Sequence, residues 1–146
     1  MNYDFSPSYQ LNILSNQVNV RVDRMVRSLF DVSLTEWKIL AIVAGEAGTT
    51  QQRVIDLVCL DRSVVSRGIQ SLKKRGMIEA KTDNEDARRF KLYLSATGLT
   101  LYEQSHHLAI EGDEALLTGF NAQERDTLFS LLARISDNMD KVGIIS

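Results

Sequence analysis

The richest run of recognition chemistry in this 146-residue chain lies between Asp61 and Gly76. At helical spacing Arg62, Ser63, Ser66, Arg67, Gln70, Lys73 and Lys74 fall on one side, and Val65, Ile69 and Leu72 on the other. That is a helix with an apolar back and a front of donors. In a DNA major groove, arginine and lysine reach guanine acceptors or phosphates, glutamine pairs with adenine, and serine serves either. An ordinary helical corner with a hydrated face has the same pattern, so the surroundings must decide.

Charge is the first of those surroundings. The net charge is −2, which by itself speaks against a nucleic-acid partner. Residues 61–91, however, hold nine Lys/Arg against five acids, a local +4 that leaves −6 for the rest. A basic patch on an acidic body sets a local field that the total conceals.

Other chemistry is sparse. His106 and His107 are adjacent, so on a helix they point about 100° apart and cannot share one metal ion. No phosphate-binding loop or nucleophile elbow occurs, so neither an enzyme, a metal nor a cofactor is expected. Cys59 stands alone; it cannot form an internal disulfide and reads as a small buried hydrophobe rather than a sensor. Hydrophobic residues at 44% and charged residues at 25% exclude low-complexity and collagen-like classes. The longest purely apolar run, Ile39 to Ala44, is six residues, where a membrane helix needs ~20. With no basic and apolar leader at Met1-Asn2-Tyr3-Asp4, a cytoplasmic setting is expected.

The elements that must position the basic helix follow from caps and apolar periods. A first helix spans about Ser8 to Leu29, with Leu11, Leu14, Val18, Val22, Met25 and Leu29 as one stripe. Ser33 and Glu36 form a capping box for a second, mostly buried helix carrying Trp37, Ile39, Leu40, Ala41 and Val43. Thr49 and Gln52 form another box. It opens a short helix whose inner face is Val54, Leu57 and Val58, and Asp61 caps the basic helix after a three-residue turn. Met77–Thr82 and Phe90–Leu94 read as a hairpin with a charged tip at residues 83–89. Ser95 caps a helix to about Leu117 with Leu99, Tyr102, Ala109 and Leu116 on one face. Asn121 and Glu124 open a last helix striped by Leu128, Leu131, Leu132, Ile135 and Met139.

Two short helices joined by a tight turn are the helix-turn-helix signature, and the basic ribbon behind them makes a winged helix. The tip of such a wing can enter a minor groove, where narrow A·T-rich DNA attracts arginine. The stripes on the first and last helices exceed what one small winged domain can cover, which predicts a homodimer. A two-fold dimer sets two recognition helices about one DNA turn apart.

The chain resembles the MarR family of bacterial transcription regulators. The resemblance rests on the order of elements, on Leu34 to Leu40, on Ser63 to Ile78, and on Asp86-Ala87-Arg88 followed by Leu94-Ser95-Ala96-Thr97-Gly98. It implies a mainly α fold with a small β-hairpin wing, in which a winged helix-turn-helix carries intertwined N- and C-terminal dimerisation helices. Residues 1–146 then form a single MarR-like domain, with 33–97 as the DNA-binding part and 1–32 and 98–146 as the dimerisation helices. It also implies a homodimer on a pseudo-palindromic operator, with affinity lowered by a small ligand. Carried over by position, Ser63, Ser66, Arg67 and Gln70 face bases, and Arg88 enters the minor groove with Asp86 steadying it. Thr50, Gln51, Arg62, Lys73, Lys74, Arg89 and Lys91 complete the expected DNA contacts. Many members carry arginine where this chain has Glu85, so this wing should grip DNA less strongly.

A ligand pocket is expected between the dimer helices and the winged part. Tyr9, Arg21, Met25, Trp37 and His107 are its candidate lining, a mixture of aromatic and cationic groups suited to an aromatic carboxylate or phenol. The expected function is a ligand-responsive transcription regulator, a repressor. The alternative is a winged-helix protein–protein module without DNA binding.

Overall fold

A computed structural model of the chain describes residues 6–82 and 90–141. Six helices and three short strands run in the order α1 (Pro7–Phe30), α2 (Leu34–Gly45), β1 (Thr49–Thr50), α3 (Gln51–Val58), α4 (Arg62–Lys74), β2 (Ile78–Thr82), β3 (Phe90–Leu94), α5 (Ala96–Leu116) and α6 (Ala122–Lys141). The chain divides into two compact units, Met1–Leu108 and Ala109–Ser146.

The caps explain most boundaries. Pro7 opens α1, where its missing N–H costs nothing. At α2 the box is complete: the Glu36 N–H donates to the Ser33 hydroxyl at 3.2 Å, and the Ser33 N–H donates to the Glu36 carboxylate at 2.8 Å. Asn121 and Glu124 exchange the equivalent pair, both at 2.9 Å. Asp61 stands at the N-cap of α4 without a side-chain cap bond; its carbonyl accepts from Val64 and Val65 instead.

The second box is shifted by one residue from the expected one. Thr50, not Thr49, caps α3 by accepting from the Arg53 N–H at 3.2 Å. Thr49 has a different task. It pairs with Leu92 in an antiparallel ladder, adding a third strand to the hairpin in the order β1-β3-β2. Its side chain is buried, as a β-branched residue suits, and its hydroxyl has no hydrogen-bond partner among the described residues. The hairpin itself pairs Ile78 with Leu94 and Thr82 with Phe90.

The core of the first unit gathers Val26 and Val32, then Ile39, Leu40 and Val43 of α2, Val54 and Val58 of α3, Val65, Ile69 and Leu72 of α4, and Met77, Ile78 and Leu92 around the sheet. The expected back of α4 is therefore fully inside. Leu57 is not: it is 41% exposed, because the eight-residue α3 turns only Val54 and Val58 inward.

Two glycines set how closely elements approach. A Cβ on Gly68 would stand 2.6 Å from the Ile39 Cδ1, so this mid-helix glycine lets α4 lie against α2. A Cβ on Gly98 would stand 2.1 Å from the Met77 carbonyl oxygen, so α5 starts in contact with backbone. This contact also corrects the expected face of α5. Its buried positions are Gly98, Leu101 and Ser105, while Leu99 and Leu116 are exposed. Small residues face inward where the backbones are close, and an apolar count passes over them.

Helix α1 buries only Val26 completely, and Leu14, Val20 and Leu29 are each more than half exposed. Helix α6 has no buried residue, and Phe129, Leu131, Leu132, Ile135 and Met139 are all exposed.

A candidate nucleic-acid interface

The front of α4 is built by default. Once Val65, Ile69 and Leu72 are inside, the helical period leaves Arg62, Ser63, Arg67, Gln70, Lys73 and Lys74 exposed, with Ser66 half-buried at the edge. Two lysines in the last turn also suit the negative end of the helix dipole.

Consecutive glutamines at the start of α3 fasten this front. The Gln51 amide nitrogen donates to the Ser66 hydroxyl at 2.9 Å. Gln52 donates to Asp56 at 2.7 Å and accepts a short bond from the Arg62 guanidinium. Of the expected DNA contacts, Gln51 and Arg62 thus already have intramolecular partners across the helix pair. Thr50 spends its hydroxyl on the α3 cap. Lys91 lies half-buried on β3, opposite Thr50 and Lys81. The expected wing residues Asp86, Arg88 and Arg89, and Glu85 beside them, lie outside the described residues.

Arg75, counted in the basic run, faces away from that front. Its guanidinium lies 3.4 Å from the Asp31 carboxylate and 3.7 Å from the Glu36 carboxylate. Glu36 also accepts from the Ser71 hydroxyl at 2.6 Å. The N-terminus of α2 is thus tied to the C-terminal turn of α4. Burial pushes the Glu36 carboxyl up, but the Ser33 N–H, the Ser71 and Ser33 hydroxyls and the Arg75 charge outweigh it, so its pKa sits below the ordinary value. Asp23 of α1 joins the same corner, accepting from Arg27 at 2.7 Å and from the Leu34 N–H at 2.8 Å. Those two bonds hold its carboxyl below the ordinary range.

The far end of α4 is fixed to the wing exit. Ser95 donates its hydroxyl to the Gly76 carbonyl at 2.6 Å, accepts from the Gly98 N–H at 3.0 Å, and donates its N–H to the Met77 carbonyl at 3.0 Å. The Leu-Ser-x-x-Gly pattern is therefore a latch. Serine bridges the helix end and the next cap, and glycine admits the Met77 carbonyl. Lys81 is engaged on the ribbon, 3.4 Å from Glu79 and 5.0 Å from the Tyr93 ring centre. Among the described residues, the exposed cations beside the helix pair that form no ion pair, including Arg67, Lys73 and Lys74, belong to α4.

The expected ligand residues are spread over several environments. Met25 and Trp37 pack on the core, and the Trp37 indole donates to the buried Ser105 hydroxyl at 2.8 Å. Tyr9, Arg21 and His107 are exposed. None of the five lines the clefts at Thr50–Gln52 and Phe90, along Asn19–Leu34, or at Phe120–Leu131. His106 stacks on Tyr102 with ring centres 5.1 Å apart. No cluster of three metal-ligating side chains occurs among the described residues. Cys59, expected to be buried, is exposed instead: it follows Val58, the last inward position of α3, in a left-handed conformation, its thiol 3.6 Å from the Asp56 carbonyl. No helix among the described residues is long and apolar enough to cross a membrane.

Two helices at a tight turn, followed by a ribbon latched to the second helix, define a winged helix-turn-helix protein. The comparisons carry the assignment further. The MarR family model matches residues 30–89. A MarR/EmrR family transcriptional regulator from Acinetobacter sp. ADP1 is 30% identical, with a TM-score of 0.88 over 97% of this chain and 100% of that one. The HTH-type transcriptional regulator YybA of Bacillus subtilis is 24% identical across 86% of this chain and 91% of its own length. A MarR-type regulator from Listeria monocytogenes, solved with a 26mer DNA, shares the fold at 19% identity and a TM-score of 0.85, over 97% of this chain and 98% of that one. The chain belongs to the MarR family of transcriptional regulators.

Sequence reasoning placed the front of α4 but missed what holds it. The Gln51–Ser66 and Gln52–Arg62 pairs and the Glu36–Ser71–Arg75 corner join residues 10 to 39 positions apart. Nothing in spacing reports such pairings. A Thr-Thr pair after Gly48 was the one available sign of β1.

Proposed function

We propose that the chain acts in the cytoplasm as a homodimeric, sequence-specific DNA-binding repressor on a pseudo-palindromic operator. The observation that carries this reading is the front of α4. Ser63, Arg67, Gln70, Lys73 and Lys74 are exposed together on a helix whose back is locked in the core. In this reading α4 enters the major groove, with Arg67 and Gln70 reading base edges and Lys73 and Lys74 holding phosphates. Arg88, steadied by Asp86, enters the minor groove, and Arg89 and Lys91 add backbone contacts. The DNA-bound Listeria structure supports the mode through its shared fold.

The two-fold arrangement is supported by the uncovered apolar side chains of α1 and α6. Residues 33–97 are then the DNA-binding part, with 1–32 and 98–146 forming the dimer within a single domain of residues 1–146. Occupancy of an operator that overlaps a promoter excludes polymerase, which gives repression as the regulatory sense. A small aromatic or phenolic effector, bound near Tyr9, Arg21, Met25, Trp37 and His107, would release it.

The test is a salt titration of affinity on the selected operator and on random duplex. Arg67→Ala or Gln70→Ala should cost about 1–3 kcal/mol on the operator and little on random DNA. Equal losses on both duplexes would assign α4 to the backbone alone. No loss on either would remove it from the interface.

A further inference from the structure

The geometry points to Gln51 as a specificity-determining residue that acts through Ser66: by donating to the Ser66 hydroxyl it takes one lone pair, strengthens the hydroxyl as a donor and leaves its proton for the DNA. This rests on the proposed placement of α4 in the major groove.

A serine hydroxyl has one proton to give and two lone pairs to receive. Left to rotate, it matches either polarity of base edge, so serine by itself is a poor reader. Here the Gln51 amide N–H fills one lone pair at 2.9 Å. Among the described residues no acceptor takes the Ser66 proton, although hydroxyls elsewhere do give theirs to a carbonyl one helical turn back, as Thr100 does to Ala96 and Thr127 to Gln123. The proton is therefore unspent, and Ser66 lies at the edge of the α4 front between Ser63 and Arg67. A second tie between α3 and α4, from the Arg62 guanidinium to Gln52, lies beside the Gln51–Ser66 bond.

The base chemistry follows. A serine biased toward donation fits an acceptor atom in the major groove best: guanine N7 or O6, adenine N7 or thymine O4. Cytosine, whose edge offers only the N4 amino donor, can use only the one remaining lone pair and is disfavoured. Gln51 thus biases which bases Ser66 accepts without touching DNA itself.

Gln51→Glu inverts the arrangement. The carboxylate has no N–H to give, so the Ser66 hydroxyl donates to it, a charge-assisted bond stronger than one to a neutral base. Ser66 then shows the groove a lone pair, which suits an exocyclic amino group. An acid at the first position of α3 also suits the helix dipole, so the fold should be retained.

The experiment is selection of bound sequences from a randomised duplex pool with the full-length chain, followed by affinities on the selected duplex with single-base changes. Ser66→Ala should flatten one column of the motif and its two-fold mate. Gln51→Glu should lower affinity for all DNA, since it adds a negative charge. It should also shift that same column toward cytosine or adenine by roughly two- to tenfold, the net value of one hydrogen bond. Gln51→Leu should broaden the column without inverting it. In a Ser66→Ala background Gln51→Glu should leave base preferences unchanged, which a merely structural role would not produce. If Gln51→Glu weakens every sequence equally and no column moves, the inference is overturned while the placement of α4 stands. If Ser66→Ala leaves the motif intact but Arg67→Ala flattens other columns, the inference again falls and the placement again stands. A pool that yields no motif with the unaltered chain overturns both.

Discussion

Helices α4 and α6 are both amphipathic and differ in what their apolar faces meet. In α4, Val65, Ile69 and Leu72 are at most 1% exposed. In α6, Phe129, Leu131, Leu132, Ile135 and Met139 are between 36% and 65% exposed. An apolar stripe therefore says that a helix will be covered, not by which chain. For α4 the cover is internal, and it leaves the polar front as the surplus surface. For α6 the apolar face itself is the surplus. A second copy is the economical cover, because a two-fold axis supplies a matching stripe at no cost in new sequence.

The comparison breaks most visibly in how stability depends on protein concentration. Ile69→Ala should cost about 2–5 kcal/mol, as cavity-forming changes in a core do. The loss should be the same at every concentration in denaturant melts. Leu132→Asp should instead shift the sedimenting mass from twice 16.4 kDa toward the monomer or an aggregate. Its effect should grow on dilution, since subunit association stabilises by mass action. A concentration-independent loss for Leu132→Asp, with the mass unchanged, would place the α6 stripe inside a single chain.

The next effect separates two glycines, Gly68 in the middle of α4 and Gly98 in the first turn of α5. Gly98→Ala drives a methyl into the Met77 carbonyl, a backbone atom that cannot turn aside. It should cost about 3 kcal/mol, the upper range for overpacking. Gly68→Ala meets only the Ile39 Cδ1, the far end of a flexible side chain. The helix gains up to about 1 kcal/mol from alanine over glycine, which offsets part of that clash. Gly68→Ala should therefore be clearly milder in thermal melts, and Ile39→Val in the same chain should turn it neutral or stabilising. If the two alanines cost the same, the Met77 contact is not what requires glycine in the Ser95 latch.

These positions show how much of the fold the sequence carried. Caps and periods gave all six helices, the hairpin and the polarity of α4, because each depends on residues within one or two turns. The exceptions share a cause. Thr49 was drawn from the cap into the ladder by Leu92, which lies 43 positions away. The inner face of α5 was hidden because the Met77 backbone requires glycine at 98 and the Trp37 indole takes Ser105 as its hydrogen-bond acceptor. At the interface the exposed side chains were legible and their fastenings were not. Gln51 and Arg62 looked like free donors until α3 and α4 were set beside each other. Of the wing, the strands were legible, and the arginines at its tip fall outside the described residues.

A smaller effect concerns the corner that ties α2 to the end of α4. The folded pKa values of Glu36 and Asp23 are lowered from 4.5 and 3.8. A carboxyl with a depressed folded pKa contributes stability that is fully present above its unfolded value and is lost as pH falls through the folded one. The acid limb of stability should therefore steepen below the ordinary carboxylate range. Glu36→Gln should flatten it while lowering stability at neutral pH, because Arg75 loses one of its two carboxylate partners and Ser71 meets a weaker acceptor. Urea melts across the acid range test this. An unchanged slope with Glu36→Gln would mean the corner is not held by charge.

The smallest expected effect is at Cys59, where α3 ends. The residue has a φ of +53°, a left-handed conformation that glycine adopts without strain and other residues adopt at a cost. Its thiol is exposed and lies 3.6 Å from the Asp56 carbonyl. Cys59→Gly should therefore stabilise the chain slightly. Relief of the left-handed strain, about 1 kcal/mol, is partly cancelled by the greater freedom of an unfolded glycine. Cys59→Ala keeps the strain and removes only the sulfur. It should leave stability and DNA affinity nearly unchanged, before and after peroxide treatment. Together the two variants separate a residue chosen for its backbone from one kept for its chemistry. A peroxide response of DNA affinity that Cys59→Ala and Cys59→Gly both abolish would make the thiol a sensor at the turn between α3 and α4. The contrast between a packed α4 and an uncovered α6 would then need a third term, a helix pair whose turn is itself regulated.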